Sequence, residues 1–412
     1  MHLRAALSVP ILLASPIVRA DEVDDDKPVV EWRYDRGIVA STPDNEFRLK
    51  LSFRNQFRAE SVRPTEGDSE ISTHFTVPRS RLTIDGNAFG EGNRLKVEMA
   101  FSDAGGFGFV RDMWFDKRLG QHKIWIRAGQ WRRPFNRQEL VSDFGSELNE
   151  RAITAAFVGG GRDLGVGIHN DYDKSPRGLE WVVGVFNGFS GGGDRPIEST
   201  TCVQDAATGA ITCVNGVPTN VPKDFSPALV ARIGYNAGDV KGYTEGDFEG
   251  GPLRWGVGLS YKVDLANFER RDLDGDDRKE PYSQNLSYAV EADAMIKVAG
   301  FGLQLGAYAI RESPRLDPRI TDLELEYGVL VQPGYFVIPK HAQIAARFAY
   351  SPDRPGGRDE IEARAGFTWY WHGHDWKLAT DVGVQQFTED DPLTMKADKP
   401  DVQVRSTLQL AM

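Results

Sequence analysis

Arg48, Lys50, Arg54 and Arg58 occupy even positions in a stretch whose odd positions are mostly apolar, and Arg79 and Arg81 repeat that spacing further along the chain. Only a β-strand sends alternate side chains to opposite faces, so Phe47, Leu49, Leu51, Phe53, Phe57 and Ala59 are predicted on one face and the cations on the other. Guanidinium and ammonium groups lining a confined aqueous space concentrate anions, and low-dielectric walls focus their field. Near them the same face offers only Glu60 and Asp85 in opposition. The chemistry predicted is attraction of anions. A second reading pairs these arginines with acids on the same interior, such as Glu98, Asp112, Glu291, Asp293, Glu324 and Glu326; the sequence leaves both open.

A second basic group lies between Trp131 and Gly161, where Arg132, Arg133, Arg137 and Arg151 accompany Pro134, Phe135, Ser142, Ser146 and Asn149, with Arg162 just beyond. Paired guanidinium N–H donors grip oxyanions, and hydroxyls and backbone amides complete the shell. The segment is too long for a simple connection. Folded inward it forms a constriction; left outside it is an exposed loop with solvated charges.

Residues spaced in this way need strands to hold them. Glu46 to Glu60 alternates for longer than most soluble strands, and a ribbon oily on one side and charged on the other suits a wall between lipid and water. The alternation returns at Leu253 to Asp264 and Ile361 to Trp371. Strands are predicted near residues 46–60, 75–85, 94–102, 109–116, 122–130, 162–170, 178–187, 227–235, 252–264, 285–298, 300–311, 322–332, 342–350, 360–371, 375–387 and 401–412. About sixteen is an even number, as single-chain bacterial barrels require, and the spacers alternate short and long as periplasmic turns and outer loops do. Residues 236–251 break that rule by being long on the short side. The fold class predicted is all-β, a transmembrane antiparallel barrel.

The chain of 412 residues, 40% hydrophobic, holds no apolar run near the roughly twenty residues a membrane helix needs. Its 43 Gly, 22 Phe and 12 Tyr suit many strands joined by turns. Residues 1–20 read as an export signal, with Arg4, an apolar run from Ala5 to Ile17 and a small-residue cleavage site ending at Ala20. Losing Arg4 and Arg19 would move the net charge from −11 to −13, which argues against a nucleic-acid partner. Residues 21–45 are predicted to be a periplasmic lead-in and 46–412 the barrel.

The residues at the second basic group carry a resemblance. Arg127-Ala128-Gly129-Gln130, Arg133-Pro134-Phe135, Ser142, Asn149-Glu150-Arg151 and Gly161 to Val166 look like the core signature of the phosphate-selective porin O and P family. Gly184 to Gly188 and Gln332 to Phe336 resemble its strand ends, and the likeness runs from about Trp32 to the C-terminus. It implies a sixteen-stranded homotrimeric channel in the Gram-negative outer membrane, a third loop folded inward, and lumen arginines and lysines guiding phosphate, pyrophosphate or chloride. The chain departs from the pattern at Met412, where such barrels carry an aromatic residue.

Other constellations are weaker. Cys202 and Cys213, exported together in a long outer loop, are placed to close a local disulfide. Asp272, Asp274 and Asp276 imitate a calcium loop, but Gly275 stands at the wrong place and Ser283 replaces the closing Glu, so an acidic loop is the reading taken. His372 and His374 lack a fourth ligand for a metal, and His169 has no serine partner, so neither cofactor nor enzyme is expected. The function expected is passive, anion-selective diffusion. The alternatives are a general porin of low selectivity and a non-conducting barrel that serves as a binding scaffold.

Overall fold

The computed structural model describes residues 30–63, 71–102, 109–157, 161–188, 200–204, 211–215, 227–240, 242–264, 270–271, 280–281, 287–312, 324–354, 358–388 and 400–412. The signal segment and the Asp272 to Asp277 run lie outside these residues, and so does part of the lead-in.

Among the described residues 16 antiparallel strands form a closed barrel. They are β1 (Arg48–Arg63), β2 (Ser72–Asn87), β3 (Asn93–Ser102), β4 (Phe109–Arg118), β5 (Trp125–Arg132), β6 (Arg162–His169), β7 (Gly178–Phe186) and β8 (Ala228–Ala237). The round continues with β9 (Arg254–Asp264), β10 (Ser287–Val298), β11 (Phe301–Glu312), β12 (Glu324–Ile338), β13 (Ala342–Arg354), β14 (Arg358–His372), β15 (Trp376–Phe387) and β16 (Asp401–Ala411). Each strand predicted from the alternation is present. The largest extension is in β12, which continues through Pro333 to Ile338. Pairing of β16 with β1, from Val402 opposite Arg63 to Ala411 opposite Arg54, closes the ring. Met412 extends this seam by exchanging backbone hydrogen bonds with Phe53 at 2.6 and 2.9 Å.

The barrel is inside out. Val257, Leu259 and Tyr261 are exposed, while their neighbours Ser260 and Lys262 on β9 are buried. On β14, Phe367 and Trp371 face outward, whereas Glu362, Arg364 and Tyr370 are closed off inside. A soluble sandwich would bury the opposite set, so this inversion fits lipid outside and polar groups within.

Phase along β2 is set by a bulge. Gln56 faces Arg79 and Arg58 faces Thr76, so Val77 and Pro78 together oppose Phe57. A bulge tolerates proline, which has no N–H for the ladder, and here it brings Arg79 and Arg81 onto the interior face. In the lead-in, Glu31–Tyr34 and Ile38–Ser41 form a hairpin. Its second strand pairs with Arg48 to Leu51, the stretch of β1 that β16 does not reach.

Short turns at residues 88–92, 119–124, 170–177, 299–300, 339–341 and 373–375 gather at one end of the barrel. Residues 238–253 are the long exception at that end.

Candidate functional site

Residues 133–157 form a loop with two short helices, α1 (Arg137–Leu140) and α2 (Ile153–Phe157). Asn136 caps α1 by accepting from the Gln138 backbone N–H at 3.0 Å, the usual service of a short polar side chain at a helix start. From α1 onward, the loop meets inward side chains of β10, β12, β14 and β15. Arg137 bonds Asp293 of β10, and Gln138 Nε2 donates to Gln332 of β12 at 3.3 Å. The Ile153 N–H donates to Glu362 of β14 at 3.0 Å, and the Asn149 N–H to Asp381 of β15 at 2.8 Å. A segment that touches opposite walls of a barrel from their interior faces lies inside it. Two wall glycines admit it: a Cβ on Gly366 would stand 2.5 Å from Leu148, and one on Gly334 would stand 2.2 Å from Glu147.

The loop is fixed by charge. Its Asp143 lies 2.5 Å from Arg81, 2.6 Å from Arg151, 3.7 Å from Arg79 and 3.9 Å from Arg111. Burial pushes the Asp143 carboxyl up, but these guanidiniums outweigh burial and hold it well below the usual range. Glu150 lies 2.5 Å from Arg79 and 2.6 Å from Arg58. Burial again raises its carboxyl, and Arg79 and Arg58 prevail, bringing it down to about 2.

The predicted cationic stripe therefore divides. Arg58, Arg79 and Arg81 are buried loop anchors. Arg54 pairs with Glu98 at 2.7 Å and rests over Phe144 at 4.6 Å. Arg48 stands 3.9 Å from Asp85 near solvent. Lys50 is half-buried and makes no ion pair among the described residues. Much of the pairing with interior acids is thus realised, yet two of the chief partners, Asp143 and Glu150, come from the loop itself. Their signal in the sequence is the run of acids Glu139, Asp143, Glu147 and Glu150, inside a segment singled out for its arginines and neutral polar residues.

The second basic group divides as well. Arg133 pairs with Asp163 at 2.8 Å, and Arg162 with Asp112 at 2.6 Å. Arg151 closes on Asp143, and Arg137 sits over Tyr243 at 5.0 Å. Arg132 differs: it donates to the carbonyl oxygens of Glu139 and, at 3.0 Å, Val141, with no ion pair among the described residues.

Between the loop and the wall of β1 to β6 lies a cavity of about 270 Å³. Six basic side chains line it, Arg54, Arg81, Lys96, Arg127, Arg132 and Arg162, against the acids Glu98, Asp112 and Asp173. Trp114, Trp131, Leu140, Tyr172 and Tyr243 complete the lining with Ser142. Bases outnumber acids in this lining.

The oversized spacer on the short-turn side, flagged by length alone, proves to be a second internal element. Its Glu245 accepts from Gln138 Nε2 at 2.9 Å and from the Glu147 N–H at 2.7 Å. Phe248 packs against Phe336, Tyr370 and His374 with ring centroids 4.7, 4.8 and 4.7 Å away. Tyr243 donates to Glu180 at 2.8 Å. His374 is thus part of an aromatic packing cluster. His169 is buried with its Nε2 3.4 Å from Asp116, the carboxylate that holds Arg127 at 2.7 Å. Cys202 and Cys213 stand opposite each other in a two-stranded hairpin of the outer loop.

No family model and no curated protein sequence matches the chain. Solved structures do. The outer membrane channel DcaP of Acinetobacter baumannii superimposes with a TM-score of 0.56 at 13% identity, over 89% of this chain and 97% of that one. An anion-selective porin from Comamonas acidovorans gives 0.54 at 11% identity, over 88% and 99%. The trimer form of the outer membrane protein OmpT of Vibrio cholerae gives 0.52 at 12%, again over 88% and 99%. At these identities the likeness is one of fold, and the fold is that of the outer-membrane porins.

Proposed function

We propose that the protein is an outer-membrane porin through which small anions diffuse passively, passing the cavity beside the inward loop. The observation that carries this is the lining of that cavity, twice as rich in bases as in acids and including Arg132, which makes no ion pair among the described residues. A basic constriction between low-dielectric walls raises the local anion concentration without binding any ion so tightly that it cannot leave. Phosphate, pyrophosphate and chloride are the solutes proposed, the first two on the family resemblance. The fold shared with a trimer-form protein supports assembly as a homotrimer in outer-membrane lipid, reached through a cleaved signal.

The matched ion pairs at Arg54, Arg58, Arg79 and Arg81 favour the alternative of a general porin with little selectivity, since paired charges cancel at a distance. Reversal potentials in a potassium chloride gradient across a planar bilayer decide between them. An anion-selective pore gives a potential on the chloride side that shrinks in Arg132→Gln. A potential near zero in the wild type supports the general pore, and absence of any conductance removes both.

A further inference from the structure

The cavity has a floor that charge alone does not explain. Trp114 stands at an inward position of β4, between the buried carboxylates Asp112 and Asp116. It remains half-buried, and so does Leu140 at the end of α1; both pack against the buried cluster of Trp131, Tyr172 and Tyr243. Arg127 covers a face of Trp114 at 4.0 Å, fixing the indole in place. Beside this floor stand Lys96, the cross-strand partner of Trp114, and Arg132, which donates to the carbonyls on either side of Leu140; Arg54 completes the basic lining, and Arg54 and Lys96 are each partly open.

A filter for hydrated inorganic ions calls for donors and gains nothing from apolar surface kept against water, which costs about 25 cal/mol for each Å² left uncovered. Apolar walls with a few convergent polar groups are the usual composition of a site for an organic ligand. We propose that this cavity selects small organic anions with a flat apolar body, of the aromatic carboxylate class, the ring lying against Trp114 and Leu140 while the carboxylate meets Arg132, Arg54 and Lys96. The proposal deepens the pore reading and rests on it.

Planar bilayers test both in sequence. Chloride current and its reversal potential are recorded first, and their absence counts against the pore itself. Sodium benzoate and sodium acetate are then titrated separately from one side; they carry the same charge and differ in the ring. Benzoate is expected to interrupt the chloride current at a concentration about fivefold lower than acetate, the size of one aromatic contact. Within each variant acetate serves as the internal reference, and Leu140→Ser and Trp114→Leu should each narrow the gap. Arg132→Gln should weaken both anions together. Equal potency of benzoate and acetate in the wild type overturns the proposal without any variant, and so does a gap that survives both floor substitutions.

Discussion

Glu147 offers a sharp test of how the two internal elements hold each other. It lies at the middle of the inward loop, accepting from Gln343 Nε2 and, at 3.1 Å, from Gln332 Nε2, while its own N–H donates to Glu245 of the long turn. Lys297, Lys377 and Tyr370 face the same pair from β10, β15 and β14. Burial, then the charge of Glu245, pushes the Glu147 carboxyl from its ordinary 4.5 up to about 8. At about 1.4 kcal/mol per pH unit, the folded chain's hold on that proton amounts to about 5 kcal/mol. Between pH 4.5 and about 8 the folded state keeps a proton that the unfolded chain releases, so this group makes stability fall as pH rises through the window and level off above it. Glu147→Gln keeps the shape and one acceptor but removes the titration. Thermal unfolding in detergent micelles, followed by tryptophan fluorescence from about pH 5 to pH 9, should show the variant overtaking the wild type progressively and holding its largest advantage above pH 8. Parallel curves for the two proteins across that range would refute the account.

Three further outcomes are expected. Asp143→Asn leaves the guanidiniums of Arg79, Arg81 and Arg151 without their shared carboxylate, a change worth about 3–5 kcal/mol for a broken buried pair, and should appear as noisier current and faster proteolysis within residues 133–157. Gly366→Val intrudes on Leu148 and should shift the loop without opening the barrel, read as altered conductance with unchanged β circular dichroism; unaltered conductance would mean that the loop does not press on that wall. Cys202 and Cys213, opposite each other across a hairpin, should resist alkylation until a reductant is added, and labelling without one would count against a bridge.

The barrel was legible because its cause is simple. One face of each strand meets lipid and the other does not, so a period of two survives from Leu49 to Leu410 whatever the lumen contains. Positions on the strands were therefore predictable, and even Arg79 and Arg81 were placed inward across a bulge that the sequence hints at only through Pro78. The partners of those arginines were not legible. Asp143 and Glu150 reach them from a loop whose path depends on contacts with strands more than two hundred residues away, as between Asn149 and Asp381. Nor could pattern reveal that residues 242–250 turn inward: their acids and aromatics read equally well as a solvated turn, and only excess length marked them.

The division of the cationic stripe changes what selectivity means in this lumen. Three of its members, Arg58, Arg79 and Arg81, are matched by acids delivered on the loop, and substituting them would disturb the loop's position before it altered any field at the passage. Buried ion pairs of this kind add little net stability, because each charge must first leave water. What they secure is geometry, since a loop that docks elsewhere leaves several charges unpaired at once. The selective field must then come from what pairing leaves over: Lys50 on β1, Arg132 beside the cavity and the surplus of bases around it. On this argument Arg132, half-buried beside the cavity, shifts the reversal potential more than any one of the three anchors does, even though the anchors outnumber it.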